Sequence, residues 1–361
     1  QKVHQNTRQF EWAAEIKKRL ISQAQPWLVF SDDELWEMVF GPTISRSWMV
    51  WSNGHCPSCR QSVMMYNWQV DAIKHRWKVH CPHCETFFPT NDFEAFYMSG
   101  LDDSGVFDPQ QADRSLLFNL AYPDAAHPLH NFGVDDGTGY FDGQNRWQFI
   151  GAYLIYGQWK QLIVGGITQL AHAYILSANQ IYAHKAAILL DRVADLYPAF
   201  DFGQQGTVYE VKGDSGYVST WHDACEETRQ LALAYDQIID ALLEDEDLVT
   251  FLSQKASTYQ LKNPKASVAD IQTNIENRIL RDALGSHRKI HSNYPRQEIT
   301  KLVCETILNW DTERERIFAL LDDLIAEAVV VDGVTGEKGL TGYSTIGPRG
   351  IAEVLNLFSQ I

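Results

Sequence analysis

Two cysteine pairs constrain this chain more than any other feature of its sequence. Cys56-Pro-Ser-Cys59 and Cys81-Pro-His-Cys84 are C-x-x-C knuckles with 21 residues between them. Each knuckle presents two thiolates to one cation, and four thiolates complete a closed tetrahedral shell around Zn²⁺. The intervening segment must then be a loop whose two ends meet at one point. Two other sulfur chemistries stay open. A redox C-x-x-C calls for a thioredoxin-like βαβ setting, which the surrounding pattern lacks. Two disulfides would suit an exported protein. Structural Zn²⁺ on Cys56, Cys59, Cys81 and Cys84 is the expectation, and a closed shell of this kind stabilises a fold rather than performing hydrolysis. His55, His80 and His83 flank the knuckles, but four cysteines already suffice. Cys225 and Cys304 stand alone in helical patterns and are expected as buried thiols.

Around this module the apolar pattern is helical. Phe10–Leu20 puts Phe10, Ala13, Ile16 and Leu20 on one face,. Ser31-Asp-Asp-Glu34, ahead of Leu35, Met38 and Val39, reads as a capping box opening a second helix,. Persuasive β character is confined to about 46–98, where Met64 to Val79 alternates. From about Asp108 the pattern predicts helix to the end, in Arg146–Ser177, Gln180–Tyr197, Thr220–Leu243, Val268–Leu284, Arg296–Trp310 and Thr312–Val329. Pro198–Tyr217 and Gly285–Asn293 read as loops, and Leu243–Leu248 as a solvated acidic turn. Neither a βαβ rhythm nor a glycine-rich phosphate loop is present, which excludes the usual nucleotide-binding α/β enzymes.

The expected fold is mainly α: an α/α toroid of antiparallel helix hairpins with a small β-containing, zinc-ribbon-like insertion. N-terminal helices would occupy 1–45, the four-cysteine zinc module 46–100 and the helical body 101–361. Gln161–His184 lacks Lys, Arg, Asp and Glu, yet carries Gln161, Gln169, His172, Asn179 and Gln180. A buried helix pair therefore fits better than a membrane span.

The net charge of −16 disfavours nucleic acid, whose affinity rests on phosphate contacts,. One segment departs from that balance. Arg278–Lys301 holds six basic side chains against two acidic ones, with His287 and His291 besides. Such an island argues for a focused anionic site rather than a diffuse polyanion surface. Gln1 stands where Met would open a complete chain, so removal of a leader or trimming is expected. Ile361 falls inside an apolar run, so a longer protein is expected to continue past it. The expected location is the periplasm or the exterior.

Several segments in order carry a family resemblance: Phe88-Pro-Thr-Asn-Asp-Phe93, Tyr97, Ser99-Gly100, Gly105-Val-Phe-Asp-Pro109, Tyr182-Ala-His-Lys-Ala186 and Glu227-Thr-Arg-Gln-Leu-Ala-Leu-Ala-Tyr-Asp236. Together they resemble the helical domain of heparinase II/III-like polysaccharide lyases, in the subgroup with a two-knuckle cysteine insertion. The resemblance spans about 50 to 361. It implies an α/α toroid followed by an antiparallel β-sheet domain, which this chain does not contain and from which relatives draw a further catalytic His. His291-Ser-Asn-Tyr-Pro-Arg296 resembles the family's Asn/His-bearing loop-to-helix segment. Asp332-Gly333, Glu337, Gly339 and Tyr343 resemble the loop that presents its catalytic tyrosine. Many relatives have Asn-His or Asn-Trp where this chain has Asn293-Tyr294-Pro295.

The implied reaction is β-elimination from a uronic-acid polysaccharide. A base removes the C5 proton beside the carboxylate, and the C4 glycosidic oxygen leaves. The enolate carries a second negative charge, so a neutral N–H donor on the carboxylate lowers the barrier as an oxyanion hole does. Asn293 would supply that donor, and Tyr343 would act as general base and acid. A phenol with an ordinary pKa near 10 needs cations nearby for this role. His222, His291, Arg288, Arg296, Trp147 and Tyr140 are the expected substrate-binding residues, with Trp221 a further stacking candidate. Each has a plainer reading: Asn293 in an Asx turn, Tyr343 and the tryptophans as packing, His222 as a satisfied structural histidine. Two rival functions stand beside the lyase. One is a glycoside hydrolase on a similar toroid, using carboxylates from Asp214, Asp223 or Glu226. The other is a non-catalytic binder of acidic glycans.

Overall fold

Helical spacing becomes helix over most of the chain in the computed structural model, which describes residues 2–51, 54–328 and 345–359. Helices α1 (Lys2–Gln9), α2 (Glu11–Leu28) and α3 (Asp32–Glu37) open it. The capping box at α3 is present: Ser31 Oγ accepts from the Glu34 amide at 3.2 Å, and the Glu34 carboxylate accepts from the Ser31 amide at 2.7 Å,. Short strands and one helix follow, namely β1 (Arg46–Ser47), β2 (Val79–His80), β3 (Phe87–Phe88), α4 (Phe93–Ser99), β4 (Tyr140–Phe141) and β5 (Arg146–Trp147). The buried body then begins with α5 (Phe149–Tyr153), which runs through wide i→i+5 turns at Leu154–Val164 into α6 (Gly165–Ser177). After it come α7 (Gln180–Leu196), α8 (Phe202–Gln205), β6 (Gly206–Val208), β7 (Val211–Lys212) and α9 (Trp221–Leu242). The described chain closes with α10 (Glu246–Thr258), α11 (Val268–Ile275), α12 (Asp282–Gly285), α13 (Arg296–Ala328) and α14 (Ile346–Phe358).

The protein is mainly helical, with α2, α6, α7, α9 and α13 packed in succession. Ile167, Leu170, Ile188, Leu189, Val193 and Ile238 are fully buried between them. A tight turn joins α6 to α7: Ala178 takes a left-handed conformation (φ 56°), and Asn179 Oδ1 caps the next helix through the Ile181 amide,. Close approach of α2 requires Gly166, since a Cβ there would lie 2.3 Å from Trp27 Nε1, which donates to the Leu162 carbonyl at 2.8 Å. Buried charge also joins the helices. Lys265 Nζ reaches both Asp191 oxygens at 2.6 and 2.7 Å and Asp195 at 2.9 Å, all nearly inaccessible to water.

The cysteine module shares this core rather than standing apart. Cys56, Val63, Trp77 and Phe88 belong to the same buried cluster as the helices, and Phe88 stacks on Phe149 at 4.5 Å. β1 pairs in parallel with β6, and β6 with β7 antiparallel; β2–β3 and β4–β5 are separate antiparallel pairs.

Three expectations change. Helix was expected from Asp108, but 108–145 is built of turns apart from one 3₁₀ turn at Arg114–Leu116 and the strand β4. Aspartates explain it: Asp108, Asp113, Asp124, Asp135, Asp136 and Asp142 each accept the backbone amide two residues on, so side chains take the donors a helix would use,. The alternating stretch Met64–Val79 is likewise mostly turns, with Asp71 accepting the Lys74 amide. Leu243–Leu248 is more than a solvated turn, because Asp245 caps α10 through the Leu248 amide at 2.9 Å. Arg296–Trp310 and Thr312–Val329, expected as two helices, are two helical runs over the described residues, with non-helical backbone between them at Glu313 (φ −129°, ψ 32°). No helix among the described residues is long and apolar enough to cross a membrane.

Candidate functional site

The two knuckles are built alike. The Cys56 amide donates to the Gln61 carbonyl and the Arg60 amide returns to the Cys56 carbonyl; the Cys81 amide donates to Thr86 and the Glu85 amide returns to Cys81. Arg60 (φ 63°) and Glu85 (φ 56°) both take the left-handed conformation that turns the chain after the second cysteine. Amides of Ser58 and Cys59 point at the Cys56 sulfur, and those of His83 and Cys84 at the Cys81 sulfur. All four sulfurs lie within 4.8 Å of one another, a grouping that can hold a metal ion. Two contacts cross between the knuckles, Cys56 to Cys84 at 3.8 Å and Cys59 to Cys81 at 3.9 Å. A disulfide is about 2.05 Å long, so the pairs are not bonded to each other,. Burial pushes the Cys56 thiol up to about 12, whereas at Cys84 burial is outweighed by hydrogen bonds from Thr86, which lower the thiol to about 6.

Trp147 docks this module on the helices. It is fully buried, donates Nε1 to the His55 carbonyl at 2.8 Å and meets Trp51 at 5.2 Å. A sugar-stacking role for Trp147 is therefore corrected to packing. Tyr140 lies half-buried on the same aromatic face, stacked on Trp147 at 5.6 Å.

A second centre forms where α9 begins. Fully buried Arg46 holds the approach to that helix by donating to the carbonyls of Tyr217 and Val218 at 2.7 and 2.8 Å. Trp221, the first helical residue, has φ 35°, a strained value for so bulky a side chain,. Its Nε1 donates to Asp214 at 2.6 Å. The loop before α13 is pinned to α9 at three points: His222 Nδ1 meets Ser292 Oγ at 2.6 Å, Arg296 Nε donates to Glu226 at 2.9 Å, and Cys225 Sγ contacts the Ile290 carbonyl. Asn293 is exposed in that loop, its carbonyl accepting from the Arg296 amide. His291 is exposed beside it, and Tyr294 turns away, its hydroxyl bonded to the Leu324 carbonyl. Burial and the Arg296 charge lower the His222 pKa, which favours the neutral ring.

Two cavities open along this surface. One, of about 490 Å³, lies among α9, α13 and α14, lined by Glu226, Arg229, Arg296, Arg349, Glu353 and Asn356. The other, of about 270 Å³, is lined by Lys160, Asp223, Glu226, Glu227 and Gln230. Glu226 borders both. Lys160 comes from the wide-turn segment, a distortion often found at functional sites, and is ion-paired with Asp223,. Glu227 is buried, its Oε2 accepting from Trp159 Nε1 and Ser219 Oγ, while Oε1 has no partner. Burial pushes its carboxyl up to about 7.

The basic island seen in the sequence disperses in the fold. Arg278 donates to the carbonyls of Ala194 and Asp195, and Lys289 to that of Pro198, so both serve the end of α7. Arg288 is exposed and donates to the Asp214 carbonyl. Arg296 alone of the six is among the residues lining the larger cavity, where Arg229 and Arg349 join it. Arg229 was legible in principle, since His222, Glu226 and Arg229 fall at i, i+4 and i+7 on one helical face. Nothing in the sequence flagged Arg349 or Lys160. Tyr343 lies outside the described residues. Searches against protein-family models, curated proteins and solved structures return no match to this chain.

Proposed function

We propose that this chain is the helical part of a polysaccharide lyase that cleaves a uronic-acid-containing glycan by β-elimination. One observation carries the reading: the loop that carries Asn293 is fastened to α9, and just after it Pro295 and Arg296 line a cavity that also holds Arg229 and Arg349. Guanidinium groups suit planar carboxylates. Two of the three are already balanced, Arg296 by Glu226 and Arg229 by Glu353, so the cavity is polar and structured rather than a bare cationic surface.

In this scheme the arginines orient the uronate and Asn293 donates an N–H to its carboxylate as charge develops. Tyr343, which falls just before α14 in the sequence, takes the C5 proton and returns one to the leaving oxygen. Neutral His222 holds Ser292 and hence the loop. The helices would form an α/α toroid, and the protein would act in the periplasm or outside the cell. Zn²⁺ is the proposed occupant of the four-cysteine site. A tetrahedron with Zn–S of about 2.3 Å has S···S edges of about 3.8 Å, which is the observed cross-knuckle spacing,. Its part is to hold the module, not to touch substrate.

Hydrolysis is the second reading, and Glu227 favours it. A carboxyl raised to about 7 on the same cavity as Asp223, which pairs with Lys160, supplies an acid and a base of separated pKa,. Variants separate the two. Under elimination, Asn293→Ala lowers turnover roughly a hundredfold or more, the loss expected for one oxyanion-type donor, and Glu227→Gln retains most activity. The reverse pattern would establish the hydrolase.

A further inference from the structure

We propose that a third cavity, at the seam between the cysteine module and the helical body, is a subsite for one pyranose ring of the same acidic glycan. This rests on the lyase reading and adds a place where the chain is gripped away from the arginine cavity. The cavity measures about 220 Å³. Trp48, Tyr66 and Trp68 line it from the module and Tyr156 from the body. At that size it takes one ring of a longer polymer rather than a whole small ligand, whose pockets start near 300 Å³.

Three features point to a sugar. The walls are aromatic faces with polar tips, suited to a ring whose C–H face is apolar and whose rim is hydroxylated. The tips hold one another in place: Trp48 Nε1 donates to Tyr66 Oη at 3.2 Å, and Tyr156 Oη donates to the Trp48 carbonyl at 2.8 Å. Tyr66 is nonetheless 62% exposed, an apolar surface with little to gain from folding alone. Lys160 supplies the link to the catalytic side. Its ammonium lies 4.7 Å from the Tyr156 ring and 5.5 Å from the Trp48 ring while pairing with Asp223 of the neighbouring cavity. A glycan running from the arginines past Glu226 and Lys160 would reach this slot with a carboxylate near an ammonium.

The arrangement also gives the cysteine module a task in binding. The wall at 65–70 lies in the loop between the knuckles. It is held by Gln69 exchanging backbone hydrogen bonds with His80, next to Cys81, and by Gln161 bonding the Val70 carbonyl and the Ala72 amide. Closing the knuckles therefore sets the width of the slot.

Calorimetric titration of the full chain with hyaluronan, heparan and alginate hexasaccharides, and with cellohexaose as neutral control, tests the proposal. Tyr66→Ala should weaken the best-bound uronate hexasaccharide roughly tenfold, and Tyr66→Phe should restore it. Because Tyr66 is exposed, the truncation leaves the core intact. Unchanged affinity in Tyr66→Ala, alongside weakened binding in Arg296→Ala, would overturn the slot while leaving the lyase reading standing. Equal affinity for cellohexaose would overturn its preference for an acidic chain. Absence of binding to every uronate probe would bring down both the slot's occupant and the lyase reading.

Discussion

The cysteine module and the cleft at α9 are assembled in opposite ways. In the module, one short motif occurs twice and each copy makes its own turn, with the same backbone bonds and the same left-handed residue after the second cysteine. Its geometry is local. The cleft instead draws Lys160, Asp223, Glu226, Arg296 and Arg349 from helices far apart in sequence, joined by single contacts such as His222–Ser292 and Arg296–Glu226. Local geometry can be read from spacing; a site built from long-range contacts exists only once the core has formed.

The largest expected effect tests whether the module is truly separate. With Zn²⁺ on the four cysteines as proposed, a chelator, or replacing Cys56 by Ser, should lower the melting temperature on the order of 10 °C, given the free energy that a structural zinc site contributes and the size of the chain. Since the module and the helices share one buried cluster, the loss should appear as one cooperative transition in calorimetry. Two transitions, with the helices melting at their former temperature, would show the module to be independent.

The helical body has its own internal fastening, and the next effect bears on it. Lys265→Ala leaves Asp191 and Asp195 buried without their cation, which should cost about 3–5 kcal/mol in denaturant unfolding,. A cost below about 1 kcal/mol would mean that water or rearrangement replaces the lysine.

A smaller effect depends on pH. His184 stands between Asp245 at 2.8 Å and Asp32 at 3.3 Å; burial of the ring is outweighed by these carboxylates, and its pKa is raised. A raised folded-state pKa means stability fully present below the unfolded value of about 6.5 and lost as pH rises through the folded one. Melting temperature should thus fall as pH rises above about 6.5, by a component that His184→Asn removes,. An identical pH profile in the variant would exclude His184 as its source.

These contrasts explain what the sequence made legible. Helix positions followed from apolar spacing wherever the helices are amphipathic or buried, as in α7 and α9, and the capping box at Ser31 named its own helix. The turns at 108–145 escaped because apolar spacing was weighed above the aspartates that take the backbone donors. α10 escaped because Asp245-Glu-Asp247 was read as a solvated charge run, although acidic residues are also what a helix start collects. Near the cleft, Asn293, His222 and Arg296 were named from a motif and its neighbours; of the three, Arg296 lines the larger cavity, and His222 holds the loop through Ser292. Lys160 was hidden in an apolar stretch and Arg349 in the last helix, where only tertiary packing brings them to the site. Trp147 shows the converse error, since an aromatic beside polar residues can be the bolt between two units of one core.

The central claim is elimination at a uronate, and product chemistry tests it most directly. A panel of acidic polysaccharides incubated with the longest available form of the protein should yield a rising ultraviolet absorbance from the C4=C5 unsaturated uronate, and Tyr343→Phe should abolish it. New reducing ends without that absorbance would contradict the account and establish hydrolysis instead.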